Sequence, residues 1–191
     1  MQTGGGILPE PSMKFVAMRN EKLKWFVTNL LKNFAMIALA MTAVGLWQTR
    51  ELPKVFPQVS LIDGDGGKVF AFPSQHSKPR VSLVYIFAPW CGVCKLSMPN
   101  LEQLRQKMPN LEIIPLALDF ESASDVSEFI KGSGYLGRYF SGSSAVRDAL
   151  GINAYPTYLV ITDNGSVMAS SVGYSTQFGL IMRVLWAQLL S

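Results

Sequence analysis

Two kinds of hydrophobic pattern divide the chain. From Trp25 to Trp47 the residues are predominantly apolar, without the polar stripe that a helix packed on a soluble core presents to water. As a helix this stretch is about 34 Å long, enough to cross the hydrocarbon core of a membrane. Beyond it, short apolar runs alternate with turn residues, which is typical of a domain built from strands and helices. The pattern therefore predicts one membrane-spanning helix followed by an α/β domain.

The strands of this domain are predicted from apolar runs and turn signals. Val81–Ala88 is an apolar run, as expected for a strand that is buried on both faces, and Leu111–Leu118 is predicted to be a second buried strand. Two hairpins are predicted where paired runs flank a turn rich in Asp, Asn and Gly. Their strands are Val59–Ile62 with Lys68–Phe72, and Thr157–Thr162 with Ser166–Val172.

Helices are predicted between and after these strands from capping signals and apolar periodicity. They run over Lys95–Met108, from a cap at Ser124 or Asp125 to about Lys131, over Ala145–Leu150, and over Phe178–Leu190. In the last helix we expect one apolar face to be buried. Its members are Phe178, Ile181, Leu185 and Leu189.

The patterns give four segments. Residues 1–24 are expected to be a disordered cytoplasmic tail, 25–48 a transmembrane anchor, 49–57 a linker and 58–191 the folded domain. Lys and Arg residues cluster before the uncharged part of the span, which favours a cytoplasmic N-terminus and an external domain. A cleaved signal peptide and a buried core helix are the alternatives. However, the apolar run continues past Ala43-Val44-Gly45, which makes a poor cleavage site.

Composition and charge narrow the functional classes. Hydrophobic residues are 49% of the chain and charged residues 16%, which is apolar for a soluble protein and agrees with a membrane segment. The formal net charge is only +4, and basic residues do not form a patch interleaved with aromatic ones. Nucleic acid is therefore not an expected partner.

Cys91 and Cys94 form a Cys-x-x-Cys motif where a predicted strand meets a predicted helix. Cys91 falls at the helix N-terminus, where unpaired N–H groups and the helix dipole stabilise a thiolate. A zinc site is an alternative, but 2 cysteines and 1 histidine cannot supply four Cys/His ligands. A purely structural disulfide would close almost no loop and stabilise little. We therefore predict a redox pair, with Cys91 attacking and Cys94 resolving, and neither a metal nor another cofactor.

The residues around this motif carry a resemblance to a known fold. Phe87-Ala88-Pro89-Trp90-Cys91-Gly92-Val93-Cys94-Lys95 resembles a thioredoxin active site, and Ala154-Tyr155-Pro156-Thr157 resembles the cis-proline loop of that fold. Residues 25–190 are similar to the membrane-anchored TlpA-like thioredoxins, and most of all to the subgroup of suppressor of copper sensitivity protein D. Three features indicate the subgroup: Gly45–Arg50, where the chain leaves the span, the Cys-Gly-Val-Cys motif, and the tail at Gly173–Thr176 and Gly179–Trp186.

The resemblance implies a fold and an activity. The fold is a thioredoxin fold, a mixed β-sheet flanked by helices, with an N-terminal hairpin and an insertion between Asp119 and Gly151. The activity is thiol–disulfide exchange with protein substrates in the periplasm, from a single anchor in the bacterial inner membrane, and reduction is favoured over oxidation. A membrane electron donor of the DsbD or ScsB type is the implied partner. Trp90, Tyr155 and Pro156 are implied as supporting residues, Trp90 as a flat contact surface and Pro156 as a cis-proline beside which substrate binds.

The group that handles protons is less well indicated. Tyr85 stands where thioredoxins carry a buried Asp, and Ser97 stands where cytochrome c maturation relatives carry a Glu. Both differences count against a cytochrome c role. Asp119 and Glu121 follow a predicted strand that should end near the cleft, so they are candidate acid/base residues.

Two other functions remain open from the sequence. A copper-binding or copper-delivery protein could use Cys91, Cys94 and His76, although the methionines form no close pair. A thioredoxin of cytochrome c maturation is the second. The residues alone do not give the direction of electron flow.

Overall fold

The computed structural model describes residues 12–50, 52–64, 67–73 and 81–191. The chain divides into two units, with the boundary between Val44 and Gly45. The first is a part of one long helix, and the second is an α/β domain. His76 lies outside the described residues.

The helices and strands follow one another in the predicted order, with one short strand that the sequence did not indicate. In chain order they are α1 Ser12–Thr49, β1 Val59–Asp63, β2 Val69–Phe72, β3 Val81–Phe87, α2 Gly92–Lys107, β4 Glu112–Ala117, α3 Ala123–Ser133, β5 Phe140–Ser141, α4 Ser144–Ala149, β6 Thr157–Thr162, β7 Val167–Val172 and α5 Gln177–Leu190. The unpredicted strand is β5, whose two residues are too few to give a periodic signal.

The strands form one mixed sheet in the order β2-β1-β5-β4-β3-β6-β7. β3 pairs with β4 in parallel and with β6 in antiparallel orientation, and β4 and β5 are parallel. The hairpins β1–β2 and β6–β7 extend the sheet on its two sides. This is the predicted thioredoxin fold, and its mixed sheet and N-terminal hairpin are confirmed.

β3 lies in the middle of the domain and is buried along its whole length. Its alternate residues point to opposite faces of the sheet, so they belong to two separate cores. Leu83, Tyr85 and Phe87 pack in a cluster with residues of α2, α3 and α5, whereas Val84 and Ile86 pack in a cluster with residues of α4. Burial on both faces explains the continuous apolar run in the sequence.

α1 begins earlier than expected. The helix starts at Ser12, so the prediction of a disordered tail through residue 24 is wrong for residues 12–24. Residues 1–11 lie outside the described residues. Within α1, Leu23–Gly45 is long and apolar enough to cross a membrane, and none of it is buried in the protein.

The predicted linker at residues 49–57 is only partly a linker. Phe56 is buried and packs edge-on against Phe72, and its backbone N–H donates a hydrogen bond to the Gly165 carbonyl at 2.7 Å. Val55 forms an isolated bridge with Ser166. The folded domain therefore begins before residue 58, because the Phe56 side chain and backbone hydrogen bonds hold the end of the linker on the domain.

The cap of α3 differs from the prediction of Ser124 or Asp125. Ser122 is the N-cap, and its hydroxyl accepts from the Asp125 N–H at 3.3 Å. The Asp125 carboxylate accepts from the Ser122 N–H at 2.8 Å, which completes a capping box. A run with several Ser and Asp residues allows more than one cap, and the reciprocal pair of bonds selects Ser122.

The buried face of α5 was also predicted wrongly. The buried residues are Leu180, Val184 and Ala187, whereas Phe178 and Leu189 are 72% and 82% exposed. This helix is apolar nearly all round, so its periodicity could not identify the face that packs on the sheet.

Candidate active site

Cys91 and Cys94 lie where β3 ends and α2 begins, and they form a disulfide with their Cα atoms 5.2 Å apart. Cys91 is the N-cap residue of α2, and Cys94 lies within its first turn. The two side chains differ in access, since Cys91 is 7% exposed and Cys94 is 0% exposed. A reagent from solution therefore reaches Cys91 first.

The helix N-terminus favours negative charge on the Cys91 sulfur. The Cys94 N–H donates a hydrogen bond to Cys91 Sγ at 3.1 Å, in the way that an N-cap side chain is usually bound. The first turn of α2 contains no acidic residue, so the positive end of the helix dipole is not cancelled there. Both features stabilise a Cys91 thiolate once the disulfide is reduced.

The cis-proline loop contacts the residue before the cysteines. The Tyr155–Pro156 peptide bond is cis, as predicted, and Pro156 is buried. The rings of Trp90 and Tyr155 meet edge to face, with their centroids 5.6 Å apart. Trp90 is 69% exposed, so its indole is available as a surface beside the sulfurs. The supporting roles of these three residues stay predictions.

Asp119 connects three elements around the site. Its carboxylate accepts from Tyr155 Oη at 2.8 Å and from Arg147 Nη1 at 3.0 Å, and its carbonyl accepts from Trp90 Nε1 at 2.8 Å. Its φ of 51° lies in the left-handed region, which Asp tolerates better than most residues. Burial and the bond to Asp119 both raise the pKa of Tyr155. With one oxygen on Tyr155 and the other on Arg147, this carboxylate is already engaged, and its use as an acid or base stays a prediction.

Glu121, the second candidate acid, is exposed at the rim of a cavity of about 510 Å³ that also contacts Trp90 and Lys95. A second cavity of about 550 Å³ is also lined by Trp90, together with Asp119, Arg147 and Tyr155 among others. The exposed indole therefore lines two cavities, and both are also lined by polar side chains.

Arg147 was missed by the sequence analysis. It lies on α4, inside the insertion, where it bonds Asp148 at 2.8 Å as well as Asp119. Both carboxylates raise its pKa, Asp148 most strongly. No motif marks this arginine, because its contact with Asp119 depends on how α4 packs after β5.

The two positions that differ from the acid-bearing relatives converge behind Cys94. Tyr85 Oη donates to the Cys94 carbonyl at 3.0 Å, and Ser97 Oγ donates to the Val93 carbonyl at 2.9 Å. Both side chains are fully buried. Neutral hydroxyls therefore lie close to the backbone of Cys94.

No group of three or more His, Cys, Asp or Glu side chains that could hold a metal ion occurs among the residues that the structure describes. His76, the third possible copper ligand, is not among them.

Comparisons with known proteins agree with this geometry. Residues 79–167 match the model of a thioredoxin-like family. A thioredoxin-like protein of Haemophilus influenzae is 22% identical over 87% of this chain and 98% of its own length. The thioredoxin of Bacillus subtilis is 31% identical over 56% of this chain and 82% of its own length.

Solved structures with the same fold include two whose descriptions name disulfide chemistry. A putative thiol:disulfide interchange protein DsbE from Chlorobium tepidum superposes with a TM-score of 0.61 at 21% identity, covering 71% of this chain and 96% of its own. A disulfide oxidoreductase secreted by Mycobacterium tuberculosis gives 0.58 at 17% identity, covering 67% and 95%. At these identities the likeness establishes the fold. The match to the Bacillus thioredoxin, which this chain covers over most of its length, establishes more: this chain belongs to the thioredoxin-like family of thiol–disulfide oxidoreductases.

Proposed function

We propose that this protein reduces disulfides in protein substrates outside the cytoplasm, from a membrane anchor, with Cys91 as the attacking thiol. The observation that carries the proposal is the asymmetry of the pair. Cys91 is the more exposed cysteine, and its Sγ accepts a hydrogen bond from the Cys94 N–H, whereas Cys94 is fully buried. That arrangement suits one sulfur for attack from solution and the other for an internal second step.

The reaction begins with both cysteines reduced. The Cys91 thiolate attacks one sulfur of the substrate disulfide, forms a mixed disulfide and displaces one substrate thiolate. Cys94 then loses its proton and attacks Cys91 Sγ, which forms the Cys91–Cys94 disulfide and displaces the second substrate thiolate. The substrate gains two electrons and the protein loses two. A membrane electron donor of the DsbD or ScsB type then returns the protein to its dithiol form.

Substrate would bind across Trp90 and the cis-proline loop. Beside Pro156 an extended peptide can pair with the backbone, and the proline side chain neither ligates nor blocks the sulfur. Trp90 and Tyr155 offer a rigid aromatic surface next to it. Asp119 holds both aromatic residues in place through its carbonyl and its carboxylate.

The extracytoplasmic position rests on the first helix. Leu23–Gly45 has the length and composition of a membrane span, and basic residues precede its uncharged part. The similar oxidoreductase of Mycobacterium tuberculosis is described as secreted, which supports the proposed position. Disulfides also persist in such compartments, where a reductase has substrates.

The reduction potential of the Cys91–Cys94 pair tests the direction of electron flow. Equilibration of the full chain in detergent with glutathione buffers of known ratio gives this potential. We expect a value near that of thioredoxin, about −270 mV. A value near about −120 mV, typical of a strong oxidant, would contradict the reductase assignment.

We further propose that the protein serves a copper-stress-linked or broad disulfide system and not the maturation of c-type cytochromes. The support is Ser97, a buried hydroxyl that donates to the Val93 carbonyl where the haem-pathway relatives carry an acid. Deletion of the gene should lower copper tolerance and leave the content of c-type cytochromes unchanged. Loss of the cytochromes with normal copper tolerance would refute this assignment.

A further inference from the structure

A buried hydrogen bond ties the central strand to the turn that carries Cys94. Tyr85, in the middle of β3, donates its hydroxyl to the Cys94 carbonyl at 3.0 Å. The Tyr85 side chain is fully buried, with its ring stacked near Phe87 and tilted against Tyr158 at centroid distances of 5.8 and 5.0 Å. In such a dry environment a hydrogen bond is stronger, and its loss is more costly, than at the surface.

The backbone ladder of α2 is interrupted close to the turn that carries Cys94. Pro99 lies in the helix interior and has no N–H, so the carbonyl of Lys95 loses its usual partner and the ladder is interrupted one turn after the cysteines. Two carbonyls just before it also accept side-chain donors, Val93 from Ser97 and Cys94 from Tyr85. Ser97 belongs to α2 itself, whereas Tyr85 belongs to β3, so the bond from Tyr85 links the turn to the sheet.

The Tyr85 hydroxyl stays protonated and can always donate. Burial raises its pKa, and the neighbouring Tyr158 raises it further, while the Ser97 hydroxyl acts in the opposite direction. Tyr158 on β6 and Ser97 on α2 are the groups that act on it, and neither carries a charge at neutral pH. Tyr158 makes a matched comparison, because it is a neighbouring buried tyrosine whose hydroxyl does not bond the Cys94 carbonyl.

We infer that Tyr85 is a positioning residue for the second step of exchange, because its hydroxyl holds the Cys94 backbone where Cys94 Sγ can attack Cys91 Sγ. When the disulfide opens, the covalent link between the two cysteines is lost, and the bond from Tyr85 remains to hold the turn. In the first step Cys91 Sγ is the only protein sulfur that reacts, and the Cys94 N–H that stabilises it is held by the helix backbone. The inference rests on the proposed function, in which Cys94 resolves the mixed disulfide.

The two steps can be separated with the aromatic disulfide 5,5′-dithiobis(2-nitrobenzoate). Reduced protein attacks it through Cys91 and releases one coloured thiolate. Cys94 then attacks Cys91 Sγ and releases the second, so that the reagent gains two electrons and the protein loses two. With excess reagent in a stopped-flow instrument, the first release is complete before the second.

Tyr85→Phe should slow the second release roughly fivefold and leave the first unchanged, since one buried hydrogen bond of about 1 kcal/mol is lost. The pH at which the second release is half-maximal should not move, because alignment and not ionisation is altered. Tyr158→Phe, the matched control, should leave both releases unchanged. Second release at the wild-type rate, equal slowing of both steps, or a shifted midpoint would each overturn the inference.

Two further measurements keep the test decisive. If Tyr85→Phe does not fold, Tyr85→Met removes the same hydroxyl and should give the same selective slowing. Cys94→Ala separates the two proposals, since it should release a single thiolate. If Cys94→Ala releases two, the proposed role of Cys94 is wrong whatever Tyr85 does.

Discussion

Cys91 and Cys94 have the same side chain, and their surroundings give them different chemistry. Cys91 caps α2 and accepts a backbone N–H, whereas Cys94 is enclosed one turn further on. A thiolate at the first position is stabilised by the helix dipole, and a thiol at the second is kept away from solvent. This difference in position along the helix supports the proposed order of reaction, with Cys91 first and Cys94 second.

The order of reaction leads to a trapping prediction. Cys94→Ala should accumulate mixed disulfides between Cys91 and substrate proteins, because nothing remains to resolve them. Cys91→Ala should trap none, since Cys94 is fully buried. Non-reducing electrophoresis of membranes that contain each variant measures the trapped species. Trapping by Cys91→Ala, or preferential alkylation of Cys94 in the reduced protein, would reverse the assignment.

At the scale of single residues, the sequence predicted contacts that are local and missed those that are not. The cysteine pair and the cis bond at Pro156 follow from short motifs. The bonds that Asp119 makes to Trp90, Tyr155 and Arg147 span sequence separations of 28 to 36 residues. No local pattern encodes such contacts, because they arise when the insertion folds back over the end of β4.

Helix α2 is anchored at its far end by a buried carboxylate. Glu102 accepts two bonds from Arg105, at 2.6 and 3.0 Å, and one from the backbone N–H of Leu136 at 3.1 Å. Gln106 donates a fourth at 3.0 Å. The bonds from Arg105, with help from Leu136 and Gln106, outweigh burial and lower the pKa of Glu102 to about 2. This residue joins α2 to the segment that follows α3.

Glu102 should therefore make the folded state sensitive to acid. Its folded pKa is lower than that of an unfolded glutamate, so its contribution is complete above about pH 4.5 and is lost as the pH falls towards about 2. Glu102→Gln should lower the free energy of unfolding at pH 7 by about 2 kcal/mol, the value of hydrogen bonds to a charged group. Urea unfolding measures the free energy of unfolding. The difference between Glu102→Gln and wild type should be smaller at pH 3 than at pH 7.

Glu128→Gln on α3 is the matched control for this change, because Glu128 is exposed. It should leave the free energy of unfolding within about 0.5 kcal/mol of wild type at both pH values. If Glu102→Gln were as stable as wild type at pH 7, the carboxylate would not support the helix in the way that its hydrogen bonds indicate.

At the scale of elements, strands were easier to predict than helix faces. β3 and β4 follow from apolar runs that only burial on both faces explains, and their bounds differ from the prediction by a residue or two. α5 has apolar residues almost all round, so the face that packs against the sheet was decided by tertiary contacts. The helix was predicted correctly, and its orientation was not.

The whole molecule combines a domain with a large buried core and a helix with none. The α/β domain has two clusters of buried side chains, one on each face of the sheet, and its topology follows from the order of predicted elements. In Leu23–Gly45, by contrast, the apolar side chains are not buried among the residues that the structure describes. An apolar helix of this length needs an apolar environment, and where the protein core does not supply it, a bilayer would.

The last prediction concerns the proposed membrane anchor. Expressed in a bacterium, the full chain should remain in the membrane pellet after a high-salt wash and be released by detergent. A membrane-impermeant thiol reagent should label reduced Cys91 in intact spheroplasts, because the basic residues before the span keep the N-terminus inside and the domain outside. Leu39→Arg places a charge near the middle of the span, where insertion costs about 2.5–3.5 kcal/mol, and should shift protein to the soluble fraction. Leu23→Arg, the matched control at the basic end, can extend its side chain to the interface and should remain in the pellet. Release of wild-type protein by salt alone, or a mature chain that begins after Gly45, would show that the helix is not a permanent anchor.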